Sequence, residues 1–188
     1  DTTVPGRHDG QLTPSDLAWL DHTLNEDRAV RTVVIQHHPA FASGVGFMDV
    51  YGLDGAPEEA EILSRSPHVE AVWSGHLHRH CTTVVGGVVA VGAPSTAAQV
   101  WLDLGSGGTA YSSEPGAYLL HVVGNDALMT HVVSGGAGDR WVPAWAAESR
   151  LSLGSGRSLR RGSPRCVNEM CTCCTRGPRG AKRLVMSD

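Results

Sequence analysis

The stretch Val33-Val34-Ile35-Gln36-His37-His38-Pro39 constrains this chain more than any other. An apolar run this short suits a strand covered on both faces, and it stops at two adjacent imidazoles. A second run, Val69 to Trp73, stops in the same manner at Gly75-His76-Leu77-His78-Arg79-His80. Between them Pro57-Glu58-Glu59 opens a helix that reaches about Ser64, so the order is strand, helix, strand. Open α/β sheets gather ligands outside the carboxyl ends of their strands, and both histidine clusters lie there.

The segments around this unit extend the same fold class. Thr13-Pro14-Ser15-Asp16 supplies a capping hydroxyl, a proline for the first helical position and an acid facing the positive end of the helix dipole. Leu17, Leu20 and Leu24 then give the helix one apolar stripe. Residues 42–56 are rich in Gly and Asp and read as a loop. Two later segments pair β-branched runs around Gly86-Gly87 and around Gly124-Asn125-Asp126, which predicts hairpins and an antiparallel sheet edge.

With 188 residues, 41% of them apolar, the chain can bury one core. Its charge is unevenly placed. Residues 1–150 carry 7 basic and 17 acidic side chains, whereas residues 151–188 carry 8 basic and 2 acidic. The sequence thus divides into a body, 1–145, and an Arg/Ser/Cys-rich tail, 146–188, expected to be disordered because it has little to bury. The abrupt change also fits a reading-frame shift near residue 150. Neither a bilayer-spanning apolar run nor a basic-then-apolar leader is visible, which predicts a soluble, cytoplasmic protein. A start at Asp1, in a polar turn, predicts a piece of a longer polypeptide.

Taken singly, His22, His68, His121 and His131 read as locally satisfied polar groups. His76 and His78 differ, because residues two apart after a strand point the same way and Gly75 lets backbone come close. Together with His37 they offer three imidazoles from two strand ends, a donor set for Zn, Mn or Fe.

"HHPAF" followed by "GHLH" resembles the fourth and fifth motifs of the calcineurin-like metallophosphoesterases. The amino-terminal "DTTVPGRHDGQLTPSDLAWLDHTL" and the later "GAPSTAAQ" are similar to segments of its class III cyclic-nucleotide phosphodiesterase branch. The resemblance covers residues 1 to about 145 and implies a partial sandwich of mixed β-sheets flanked by helices. It also implies two transition-metal ions (Fe, Mn or Zn) in the complete domain. His37 and His76 would bind one ion and His78 the other, with His38 as the catalytic residue, either facing the substrate phosphate or set behind the metal ligands, and Ser95 and Thr96 in a substrate-binding segment. The implied reaction is hydrolysis of a 3′,5′-cyclic nucleotide, or a related small phosphodiester, by hydroxide held between the two metals. A homodimer is open.

The family's first three motifs, Asp-x-His, Gly-Asp-x-x-Asp and Gly-Asn-His-Asp/Glu, do not occur in this sequence. "GRHD", residues 6–9, approaches the third, but Arg7 stands where asparagine would, and a guanidinium has no lone pair for a metal. It is read as a loop. The expectation is therefore an incomplete catalytic domain that binds metal poorly by itself. The alternative is a non-catalytic binding or regulatory module on a remnant of the fold, with the tail as its contact. Cys166, Cys171, Cys173 and Cys174 lack the paired spacing of a zinc ribbon, and the tail arginines could hold nucleic acid or another polyanion only through charge.

Overall fold

The computed structural model describes residues 1–105, 108–125, 127–136 and the backbone of 183–186. Its centre is a five-stranded sheet in the order β11-β2-β4-β6-β5. Strands β2 (Thr32–Gln36), β4 (Val69–Ser74) and β6 (Val88–Gly92) run parallel, and β5 (Cys81–Val85) returns antiparallel to β6 through the Gly86-Gly87 turn. Both turn glycines have positive φ, and a Cβ at Gly86 would strike the Ala60 carbonyl at 2.2 Å, so no other residue fits there.

Helices α1 (Pro14–Glu26) and α3 (Ala56–Ser64) cover one face. At the start of α1 the Thr13 hydroxyl accepts from Asp16 N while the Asp16 carboxylate accepts from Thr13 N, a reciprocal capping box. Leu20 and Leu24 of α1 and Ile62 and Leu63 of α3 pack on Val34, Val72 and Ala90, one from each parallel strand. Each such leucine contributes ~1.5–3 kcal/mol by leaving water, and truncating Leu24 to alanine would cost ~2–5 kcal/mol.

Three two-stranded sheets flank the centre: β1 (Gly10–Gln11) with β3 (Leu53–Asp54), β7 (Gln99–Val100) with β8 (Tyr111–Ser112), and β9 (Ala117–Val123) with β10 (Leu128–Ser134). The expected hairpin at 117–134 is present, but as a separate sheet. Its His121 stacks on Trp73 of β4, with ring centroids 3.6 Å apart and planes at 14°, so the hairpin lies over the face opposite the helices. The stretch 42–56, read as a loop, also contains a short helix α2 (Gly46–Asp49) and β3. The Asp49 carboxylate accepts from Ser43 N, Ser43 Oγ and Gly44 N, and this closes the turn before α2.

In the tail, β11 (Arg183–Met186) pairs in parallel with β2 where no element was expected. The signal was short: Leu184-Val185-Met186 is an isolated apolar run, and a β2 edge with unpaired backbone groups accepts such a run. The four tail cysteines lie outside the described residues. Among the described residues no helix is long and apolar enough to cross a membrane. The mixed α/β architecture, with a mostly parallel sheet carrying helices, is the one the sequence predicts.

Candidate metal centre

β2 and β4 are direct neighbours, parallel, with Gln36 opposite Ser74, so the residues that follow them emerge side by side. The first contact beyond the ladder is Gly75 N donating to the His37 carbonyl at 3.0 Å. The rings of His37, His38 and His76 then cluster, with centroids 4.8 Å (37 to 38), 5.3 Å (37 to 76) and 4.4 Å (38 to 76) apart. One nitrogen from each of the three lies within 4.8 Å of the others. His78 is outside this group, although it lines the same cleft as His76.

The three rings are not equivalent. His37 is exposed, while His38 is 3% exposed and fully engaged. A carbonyl only accepts, so His38 Nε2–H donates to the His8 carbonyl at 3.1 Å, and Nδ1 then accepts from the Thr2 hydroxyl at 3.0 Å. Thr2 Oγ1 in turn accepts from His38 N at 3.3 Å. His38 is thus a clamped group whose lone pair is already used. His76 is the reverse: its Nε2 is buried without a partner. An orphaned buried nitrogen on a ring within a cluster of imidazoles is what a bound cation would satisfy. His78 Nδ1 donates to the Ala98 carbonyl at 3.1 Å, which fixes the ring and leaves Nε2 as the atom with a lone pair.

The local backbone is built for this display. Leu77 is buried between His76 and His78, and both histidines adopt left-handed φ, +62° and +50°. Such conformations cost ~1–3 kcal/mol each in a residue with a Cβ, and their clustering at one turn marks a functional constraint. The alternation rule for extended chain therefore does not place these rings; the left-handed pair does. The close approach expected at Gly75 falls elsewhere. A Cβ on Gly75 would meet His37 Nδ1 at an ordinary 3.5 Å, whereas one on Gly10 would sit 2.4 Å from His38 Cγ.

Desolvation, only partial at the exposed His37, lowers the pKa of His37, His38 and His76, the last to about 4, with neighbouring imidazoles adding to the effect at His37 and His76. All three are neutral at pH 7, the form that binds metal. Behind them Gln36 Nε2 donates both to the His38 carbonyl at 2.9 Å and to Glu59 Oε2 at 3.0 Å. Glu59 is 0% exposed, its Oε1 has no partner, and burial pushes its pKa up to about 7.

Ser95 and Thr96 are not among the residues lining the cleft beside His76 and His78. Ser95 is absorbed in a turn, with Oγ accepting from Ala97 N and its backbone bonded to the Gln99 amide, and Thr96 is exposed. Sequence reading missed Thr2, Gly10 and His8. His8 belongs to "GRHD": Arg7 turns away to pair with Asp9, and the His8 ring lines a cleft of about 330 Å³ beside His76 and His78. The near match to the third motif was the available signal.

As a donor set, His37 and His76 fit one transition-metal ion, with His38 held against them. The adjoining position has His78, and no carboxylate joins the cluster among the described residues.

No protein-family model matches the chain. It is 38% identical over 99 residues to a probable cyclic nucleotide phosphodiesterase of Synechococcus, covering 53% of this chain and 38% of the relative. It is 34% identical over 129 residues to a probable cyclic nucleotide phosphodiesterase of Rhodopseudomonas palustris (68% and 47%). It is 32% identical over 134 residues to a probable glycerophosphodiester phosphodiesterase of Arcobacter nitrofigilis (70% and 49%). The chain spans about half or less of the length of these relatives. The likeness in sequence makes the chain a partial relative of the metallophosphoesterases, similar to their class III cyclic-nucleotide and glycerophosphodiester phosphodiesterases.

Proposed function

We propose that the chain forms part of a metal-dependent phosphodiesterase acting on 3′,5′-cyclic nucleotides or related phosphodiesters. The observation that carries this reading is the partnerless, buried Nε2 of His76, a ring 5.3 Å from that of His37 at the joined ends of β2 and β4. Transition-metal ions, when bound, supply Lewis-acid stabilisation of phosphoryl oxygens and a more acidic water. The protein's own part is positional. His37 and His76 present neutral nitrogens, His78 adds a third from a ring fixed by Ala98, and His38 is locked by Thr2 and His8 so that the cluster does not collapse. The cleft beside His76 and His78 is where a phosphodiester reaches these nitrogens.

The competing reading, a non-catalytic module, is favoured by the lack of a carboxylate in the cluster among the described residues. Hydrolysis of bis(p-nitrophenyl) phosphate and cyclic AMP in Mn²⁺, Zn²⁺ or Fe²⁺ decides between them, with His76→Ala as control. Turnover that requires metal and vanishes in His76→Ala supports the enzyme; no turnover, with metal uptake that His76→Ala leaves unchanged, supports the module.

A further inference from the structure

We propose that Glu59 and Gln36 form a positioning pair for the metal centre, a buried strut from α3 that fixes the peptide on which His37 and His38 ride. This rests on the reading of His37 and His76 as metal ligands, and it adds two residues placed behind them.

Three observations carry the step. First, Glu59 lies on the buried stripe of α3 that it shares with Ile62 and Leu63, and it is 0% exposed there. Its backbone is satisfied without the side chain, since Glu59 N donates to the Gly55 carbonyl at 3.0 Å. Helix packing by itself asks for an apolar residue at this position, because burying a carboxyl costs free energy that burying a leucine does not. Second, the acid serves one partner. Gln36 Nε2 has two hydrogens, one donated to Glu59 Oε2 at 3.0 Å and the other to the His38 carbonyl at 2.9 Å. The acceptor on Glu59 thus sets the rotation of the Gln36 amide, and that rotation turns the second hydrogen onto the His38 carbonyl. Third, this carbonyl belongs to the backbone that displays the ligands. Gly75 N holds the His37 carbonyl at 3.0 Å and Thr2 Oγ1 accepts from His38 N at 3.3 Å, so Gln36 supplies the third tie. Among the described residues no hydrogen bond reaches the His37 ring, which meets the rings of His38 and His76, so the backbone sets where it points.

The test is calorimetric titration of the full chain with Mn²⁺ at pH 7, with stability followed by urea unfolding. Glu59→Met keeps the length of the side chain and removes the acceptor; it should weaken Mn²⁺ binding by ~10-fold, the lower end of the range for losing an outer-sphere partner. Glu59→Gln retains an acceptor oxygen and should bind as the native chain does. The double variant Gln36→Leu/Glu59→Met exchanges a buried acid and amide for apolar groups, so it should fold, yet bind Mn²⁺ ~10-fold more weakly. That separates positioning from packing, because a pair that only fills the core would leave affinity untouched in a folded double variant. A Glu59→Gln loss equal to that of Glu59→Met, or a folded double variant with native affinity, overturns the proposal. A double variant that does not fold overturns it too, since the pair is then a requirement of the core. If the native chain takes up no Mn²⁺, the metal-ligand reading fails, and hydrogen exchange at Gly75 N–H decides the strut alone. Exchange at least ~10-fold faster in the double variant, relative to the amides of β4, sustains it, and equal exchange overturns it.

Discussion

Histidine and β-branched residues meet in two parts of this molecule with opposite results. In the β9–β10 hairpin, His121 and His131 lie on strands whose Tyr118, Leu120, Val122, Met129 and Val132 are exposed. His121 is used up by stacking on Trp73 and by a 2.8 Å bond from Nδ1 to Thr130 Oγ1, and burial lowers its pKa to about 4 just as at His76. At the ends of β2 and β4 the same residue type is gathered from two strands, held on left-handed backbone and left with an orphaned nitrogen. A depressed pKa is therefore common to both regions. What separates them is convergence and an unmet hydrogen-bonding capacity.

Substitutions sharpen that contrast. His76→Ala should cost more Mn²⁺ or Zn²⁺ affinity than the ~10–100-fold typical of losing an outer-sphere partner, whereas His121→Ala should leave affinity unchanged. Equal effects in a calorimetric titration would show that lowered pKa, not convergence, selects the ligands.

The next effect is in stability. The folded chain keeps a proton on Glu59 up to about pH 7, while an unfolded Glu releases it near 4.5, so stability from this group falls as pH rises between those values. For His76 the sign is opposite: its folded pKa is about 4 against 6.5 unfolded, and stability is lost as pH drops through that window. Glu59→Gln removes only the first contribution. It should be more stable than the native chain by about 2 kcal/mol at pH 8 and equal to it near pH 5, measured by urea unfolding. Parallel pH profiles would mean that Glu59 is ionised in the fold.

Thr2→Val keeps the shape of a side chain that is 1% exposed but removes the hydroxyl on which His38 relies. It should cost ~1–3 kcal/mol because a buried ring nitrogen loses its partner. The smallest change is expected at His131, exposed on the hairpin: His131→Ala should shift unfolding by under ~0.5 kcal/mol, and a larger loss would mean the hairpin face is more constrained than its exposure implies.

The strands, the helix between them and the arrival of both histidine clusters at one sheet edge were legible, since short apolar runs and Pro-acid starts carry that information locally. The inequality of the histidines was not. Whether His38 is free or clamped depends on Thr2 and His8, some thirty residues away, and whether His78 joins the cluster depends on a left-handed turn that no propensity favours for histidine. Ser95 and Thr96 were drawn in by resemblance alone, while His8 was set aside because Arg7 cannot bind metal. That argument was sound for residue 7 and silent about residue 8.

The contacts of Thr2, His8 and Gly10 with His38 tie the lifetime of the site to the first dozen residues. That segment is anchored by two residues of β1 along β3, a bridge between Thr3 and Gly10, bonds from Gly10 N to Gly52 O, Gln11 N to Thr2 O and Leu12 N to Asp54 O, and the burial of Thr2 and Leu12. Without that segment His38 would lose the Thr2 hydroxyl at Nδ1 and the His8 carbonyl at Nε2. An ion and the Thr2 hydroxyl would compete for the one lone pair on His38 Nδ1, so filling the centre and holding the amino terminus in place are coupled at one histidine.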